Sequence, residues 1–505
     1  MYRFFEILPG ALVWSTFAFV LLLSWQLPLF AALGIILFDI FWLLRAIYFF
    51  SLLYVTFREM RERMKIDWLQ KLKELSNKYE DIYHLVILPM HKEPYALVLE
   101  TFERLSAMNY PKNKFIVVLG LEEAGGEEAM TTARMIKEKF EHEFFKLLVT
   151  KHPSCLPGEI PGKGSNETWA ARRAKEEIID PAGIKYDCIL VSSFDIDTQI
   201  FPDYFGVLTH TFLTCEKPQR SSYQPVPLFT NNIFEAASIG RLLAFSSTFW
   251  SMMQQTRPEN LVTFSSHSMP FKALVEIGFW HTHIVSEDSR IFWQCYVHYR
   301  GDWRTEPLFY PVSMDANVAP TFIKTMLHIY KQQRRWAWGS ENLAFIFTSF
   351  IKYRKEIKRK IYWTWTSLES YHTWATSSFI ILFMGWLPIW LGGDAFQNEL
   401  ISYNLPKTVG IIMTIANIGI ATSAIFSVLL MPPKPAWFKP RHYAWYLLEW
   451  VLTPVLFIFF SALPAIEAQT RLMLGGRFRL GFWVTPKSRK GVGEEHRLPR
   501  KGNSP

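Results

Sequence analysis

Long apolar stretches occupy the two ends of the chain, and between them short apolar runs take turns with amphipathic ones. From Ile7 to Phe57 charges are scarce. At about 1.5 Å of rise per residue, roughly 20 residues cross the hydrocarbon core of a bilayer. This stretch is long enough for two crossings, with a break near Pro28 in "WQLPLF". Asp39 and Arg45 fall inside the second crossing, where a charge is costly unless it faces a protein partner or serves a function. Three further spans are expected in the C-terminal third, beginning at Trp374, Thr408 and Ala444.

The middle has a different rhythm. "YHLVILPM", "KFIVVLGL", "FKLLVTKH" and "CILVSSF" read as buried strands. Helical stretches separate them, from Pro94 to Met108, Glu127 to Glu141 and Asn166 to Ile179, the first with Leu97, Phe102 and Leu105 on one face. Continuous apolar runs alternating with amphipathic helices predict a parallel sheet covered on both faces. Ligands of such sheets gather at the carboxyl ends of the strands, and "MHKEP", "EEAGG" and "DID" all fall there.

Charge orients the apolar segments. "FREMRERMK" follows the second crossing and "IKYRKEIKRK" precedes the third, whereas "GGDAFQNELISYNLPK" is poor in basic residues. Basic flanks face the cytoplasm, which places the middle of the chain there and the last loop outside. The formal charge of +9 is therefore mostly membrane-flanking, with no basic and aromatic pattern that calls for nucleic acid. The four cysteines form no CxxC pair, consistent with a reducing compartment and no zinc site.

Chemistry-bearing residues follow in order. Asp195 and Asp197 close the oily run from Cys188, as a pair of hard oxygen ligands for Mg²⁺ or Mn²⁺ carrying a phosphate, or as a solvated loop. Glu287 and Asp288 stand in "IVSEDSR". Gln332, Arg335 and Trp336 have the spacing QxxRW, and Phe482, Val484, Thr485 and Lys487 the spacing FxVTxK.

In this order, within an α/β stretch flanked by membrane spans, these motifs resemble the membrane-embedded family 2 glycosyltransferases, which include cellulose, chitin and hyaluronan synthases. The resemblance runs from "ILPMHKEP" to "FWVTPK". It implies a GT-A-type nucleotide-sugar-binding α/β domain (58–320) inserted between transmembrane helices, two at 1–57 and the rest within 373–470. Interfacial helices carrying QxxRW would occupy 321–372, and a cytoplasmic tail with a gating-like loop 471–505. The implied protein is an integral plasma (inner) membrane enzyme with a cytoplasmic catalytic domain. The implied activity is an inverting, metal-dependent hexosyl transfer from a nucleotide-diphosphate sugar, a UDP-sugar in relatives. The acceptor would be a growing β-linked polysaccharide moved across the membrane; the alternative is single addition to a lipid carrier.

The resemblance also implies residue roles. Asp195 would contact the donor and share the metal held by Asp197. Asp288 would be the general base, with Glu287 orienting it or binding acceptor. Glu93, Lys163, Asn166, Arg335, Thr485 and Lys487 would line the donor. Gln332, Trp336 and His267 would line the acceptor. Asn166 reads equally as a cap of the following helix, Trp336 as an interfacial aromatic and His267 as a structural histidine. Where relatives carry Asp-Asp-Gly, this chain has "LEEAGG"; either Glu122 or Glu123 would serve, and the nucleotide base stays open.

One contradiction stands. Two spans before the domain and three after it put the tail outside, while its basic charge and FxVTxK put it inside. Either the segment from Ala444, broken by Pro454 and Pro464, is re-entrant or kinked, or the stretch from Ile361 to Trp390 hides another crossing.

Overall fold

The computed structural model describes residues 1–75, 77–352, 356–483 and 485. The chain divides into a helical unit (Met1–Val55, Ser238–Phe245 and Met326–Leu480) and an α/β unit (Thr56–Ala237, Ser246–Thr325 and the segment from Gly481).

The α/β unit is built on one mixed sheet. Its strands are β1 (Tyr83–Met90), β2 (Phe115–Glu122), β3 (Lys146–His152), β4 (Ile189–Ser193), β5 (Gln199–Ile200), β6 (Ser221–Leu228), β7 (Ser268–Pro270) and β8 (Arg304–Ser313). They lie in the order β3-β2-β1-β4-β7-β6-β8-β5. The first four are parallel, as the repeated apolar runs predict, because helical crossovers join them and cover their faces. Helix Tyr95–Ser106 buries Leu97, Phe102 and Leu105 against the sheet, the face expected from their spacing. β7 runs antiparallel to β4 and brings the second half of the sheet into register. The consequence for function is positional: β1, β2 and β4 all end on one edge, so the polar residues after them converge.

In the helical unit, Tyr2–Gln26 and Pro28–Arg63 are divided at Leu27, with Pro28 opening the second helix as its fixed φ favours. Among the described residues, four helices are long and apolar enough to cross a membrane: these two, Leu400–Leu429 and the run Pro440–Leu474. The pair Ile357–Leu382 and Met384–Leu391, bent by 48°, makes a fifth if it acts as one span. Arg45 pairs with Glu369 of a neighbouring helix and lies over the Trp42 ring, so the charge expected inside the second span meets a protein partner. Asp39 is buried.

Contacts along this unit order its segments. A Cβ on Gly392 would lie 2.7 Å from that of Pro28, and one on Gly385 3.8 Å from Ile35, so the bent pair runs toward the Pro28 end. Leu405 packs with Ala32 and Gly419 meets Phe50, so Leu400–Leu429 runs back. The Pro440–Leu474 run then turns inside the unit. Trp450 bonds Ser427 (3.2 Å), Trp374 bonds Ser461 (2.9 Å) and Trp14 bonds Thr470 (3.0 Å). Finally Arg3 caps the carbonyl of Leu472 (2.8 Å). The run therefore finishes beside the N-terminus. Pro454 and Pro464 each open a new helical piece, and a π-turn at Ile458–Ala462 precedes the second.

Candidate active site

The acids of the α/β unit lie just past the carboxyl ends of parallel strands. After β4 the chain turns sharply, the Thr198 amide donating to the Asp195 carbonyl (2.8 Å). This turn exposes part of the Asp195 side chain while burying Asp197. Asp195 accepts from Ser265 Oγ at 2.9 Å through Oδ2 and lies 2.8 Å from Lys163 Nζ through Oδ1. Asp197 Oδ2 accepts from the Asp315 amide at 3.0 Å, just past the end of β8.

Lys163 opens helix Lys163–Ala174 and is the hub. Its Nζ donates to Asp288 Oδ1 (2.9 Å) and Oδ2 (3.2 Å) as well as to Asp195, and lies 3.7 Å from Glu167 Oε1. An ammonium has three N–H donors, and here they meet two aspartates. Burial of Lys163 opposes its charge, but Asp195 and then Asp288 outweigh it and hold its pKa well above that of an ordinary lysine. Asp288 belongs to the first turn of helix Glu287–His298, where acids suit the positive end of the helix dipole. His267 is buried with Nδ1 3.8 Å from Asp288 Oδ1. Burial depresses its pKa to about 4, so it is a neutral imidazole near pH 7.

The other expected residues fall as follows. Glu93 accepts from the His91 amide (2.7 Å), and Glu122 ends β2 with a carboxylate oxygen 3.5 Å from His91 Nδ1. Glu123 faces away, accepting from the Ser154 amide (2.9 Å), so Glu122 is the acid on the β1 side of "LEEAGG". Asn166 is no helix cap: the helix starts three residues earlier, and Asn166 Nδ2 donates to the Gly120 carbonyl of β2 (2.8 Å). Gln332, Arg335 and Trp336 share one face of helix Phe322–Ala337, and their positions lie in the helical unit. Thr485 is buried in the α/β unit, and Phe482 packs on Gly162, where a Cβ would lie 2.6 Å from the ring. Val484 and Lys487 lie outside the described residues.

Beside the expected acids of the α/β unit lie two buried ones, Glu167 and Asp315, that escape a sequence reading. Glu167 lies wholly inside, hydrogen-bonded to Ser193. Asp315, also buried, accepts from Asn231 Nδ2 (3.0 Å), which in turn donates to the Asp197 carbonyl (2.9 Å). The one signal for Asp315 is its place after an apolar strand, the feature that drew notice to Asp195.

Among the described residues no three His, Cys, Asp or Glu side chains converge as a metal's ligand set. Mg²⁺ is commonly held by one or two carboxylates together with water and substrate phosphates. Asp195 is partly exposed and Asp197 wholly buried with Oδ2 on the Asp315 amide, so an ion here would rest on one or two carboxylates together with a phosphate.

No protein-family model matches the sequence, and no curated protein matches it. Among solved structures, the chain is similar to the mannosyltransferase PcManGT from Pyrobaculum calidifontis in complex with GDP-Man and Mn²⁺. The identity is 14%, over 80% of this chain and 98% of that one, with a TM-score of 0.39. It is similar also to S. aureus TarS 1-349 in complex with UDP-GlcNAc, at 12% identity, over 78% and 91% of the two chains, with a TM-score of 0.37. Likenesses this loose assign no chemistry to this chain.

Proposed function

We propose that the protein is a membrane-embedded, inverting glycosyltransferase that takes a sugar from a nucleotide-diphosphate donor. One observation supports this reading: Lys163 bridges Asp195 and Asp288 at the carboxyl edge of a parallel sheet, and we take the first as the donor-side acid and the second as the base. A departing diphosphate needs a cation, and an acceptor hydroxyl needs a carboxylate. Here the two stand within one hydrogen bond of each other.

In the reaction, Lys163 turns from Asp288 to the diphosphate. Asp288 then takes the acceptor's proton, and the acceptor oxygen attacks the anomeric carbon from the face opposite the phosphate. The carbon–oxygen bond to phosphate breaks, and its electron pair leaves with the nucleoside diphosphate. A donor with an α-linkage gives a β-linked product. A diphosphate among these acids would gain from a divalent cation beside it. Asp195 and Asp197 are its proposed ligands, and bound Mg²⁺ or Mn²⁺ would neutralise charge on the phosphates. Glu93 and Glu122 are proposed to meet the nucleoside side of the donor.

We read the helical unit as spanning a bilayer with four crossings, the bent pair counting as one and Pro440–Leu474 re-entering on the face where Arg3 lies. The chain then leaves the membrane after Leu474 on the face where it emerged at Arg63, which we take as cytoplasmic. This agrees with the basic tail.

The test supplies purified protein with radiolabelled UDP- and GDP-sugars, with Mn²⁺, Mg²⁺ or a chelator. Metal-dependent incorporation that Asp288→Asn abolishes supports the reading. A ladder of products marks a polymer synthase and a single glycolipid marks one addition. Equal incorporation with and without metal contradicts the role given to Asp195 and Asp197.

A further inference from the structure

The first turn of helix Lys163–Ala174 is polar and small, "KGSNET", yet residues 164 to 168 are all buried. Each is engaged by its surroundings. A Cβ on Gly164 would come 2.9 Å from Glu287 Cβ, so the helix lies directly against the segment carrying Asp288. Ser165 Oγ returns to the Ile160 carbonyl (2.9 Å), Asn166 reaches β2, and Thr168 Oγ1 donates to the Trp280 carbonyl (3.0 Å). Glu167 reaches β4, where Ser193 Oγ donates to its Oε1. Its Oε2 has no hydrogen-bond partner among the described residues.

A wholly buried carboxyl is costly, and leaving one of its oxygens unbonded adds to that cost. A role that offsets the cost is visible in the geometry. Glu167 sits one helical turn behind Lys163, on the same face, with its Oε1 3.7 Å from the ammonium. Ser193, its anchor, is two residues before Asp195. One side chain thus ties the strand that delivers Asp195 to the helix that delivers Lys163.

We propose that Glu167 is a positioning residue of the donor site: anchored on Ser193, it holds the Lys163 ammonium where Asp195 and Asp288 share it, and so sets how strongly the site takes a diphosphate. This rests on reading the site as one for nucleotide-diphosphate donors. Burial lifts the Glu167 carboxyl well above the usual carboxylate range, against the opposing pull of Lys163. Its Oε1 stands 3.7 Å from the ammonium, beyond hydrogen-bond reach, so it backs the lysine without taking a donor from the two aspartates. A glutamine has the same shape and no charge, and is expected to do the same work.

The experiment measures binding of UDP, GDP and their parent nucleosides to the full chain in detergent, for wild type, Glu167→Gln and Glu167→Ala. Glu167→Ala is expected to weaken the bound nucleoside diphosphate roughly tenfold or more, while the nucleoside stays within about twofold. Glu167→Gln is expected to restore diphosphate binding. A merely structural defect lowers both ligands together. Should Glu167→Ala not fold, Glu167→Asp, an arm shorter by one methylene, is expected to show the same selective loss. An unchanged ratio of diphosphate to nucleoside affinity, or Gln as impaired as Ala, overturns the role of Glu167 alone. A wild-type chain that binds neither UDP nor GDP overturns the reading of the site and this role with it.

Discussion

At the scale of single residues, the account turns on which side chains face Lys163. Asp288 offers both its oxygens to that ammonium, and replacing it tests the base most simply. Asp288→Asn is expected to slow transfer by about 10²- to 10⁴-fold, the usual worth of a general base, while nucleotide stays bound. Transfer within about threefold of wild type removes Asp288 from that role. Glycines fix the approach of the helix. Gly164→Ala sets a Cβ against Glu287 at 2.9 Å and is expected to cost about 1–3 kcal/mol of stability, as overpacking does, measured by thermal unfolding. The acids at strand ends were legible because a polar pair after an oily run is conspicuous. Glu167 was not, because "KGSNETW" reads as the solvated start of a helix. Only the fold closes a strand over it and sets Lys163 between two acids.

At the scale of elements, β1, β2 and β4 could be read because parallel strands buried on both faces carry long apolar runs. The second half of the sheet could not. β6 is "SSYQPVPL", with two prolines and several polar residues, although every position is buried. A register shift between Gln224 and Val226 accommodates the first proline, and Gln224 spends its side chain on the Phe264 amide (3.0 Å) and the Ser265 carbonyl (3.1 Å). Within β1 lies a second polar surprise. His84 is fully buried beside Tyr110, Phe115 and Phe205, with Nε2 3.0 Å from Thr209 Oγ1. Burial lowers its pKa to about 3. The unfolded chain therefore binds a proton that the folded chain refuses between pH 6.5 and about 3. Stability attributable to His84 is full above that window and falls by up to about 1.4 kcal/mol per pH unit as pH drops through it. Denaturant titrations from pH 7 to 4 should show a steeper loss in wild type than in His84→Phe. Equal slopes would mean that His84 does not couple folding to acid.

At the scale of the whole molecule, the apolar segments were legible as five candidates, and their odd number conflicted with a basic tail. Hydropathy measures length and composition and cannot distinguish a helix that crosses from one that turns back. Side-chain pairs order the pieces within the unit. Trp450 with Ser427, Trp374 with Ser461 and Arg3 with the Leu472 carbonyl trace Pro440–Leu474 back to the end of the helical unit where the chain begins. The proline breaks that cast doubt on this segment as a single span are where its helix is rebuilt in pieces. In inside-out and right-side-out vesicles, Asp394→Cys is expected to react with an impermeant thiol reagent from the outer face. Gly481→Cys is expected to react from the cytoplasmic face, together with the exposed native Cys155. Labelling of Gly481→Cys from the outer face would restore the fifth crossing.

The most direct measurement is a cryo-electron microscopy structure of the full chain with a nucleotide-diphosphate sugar and Mn²⁺. The account predicts the diphosphate beyond the ends of β1 and β4, with Lys163 moved onto it, Asp195 and Asp197 beside the ion, and Asp288 released toward the sugar. A donor bound away from these side chains, or Lys163 still clasping Asp288 with the donor in place, would contradict it.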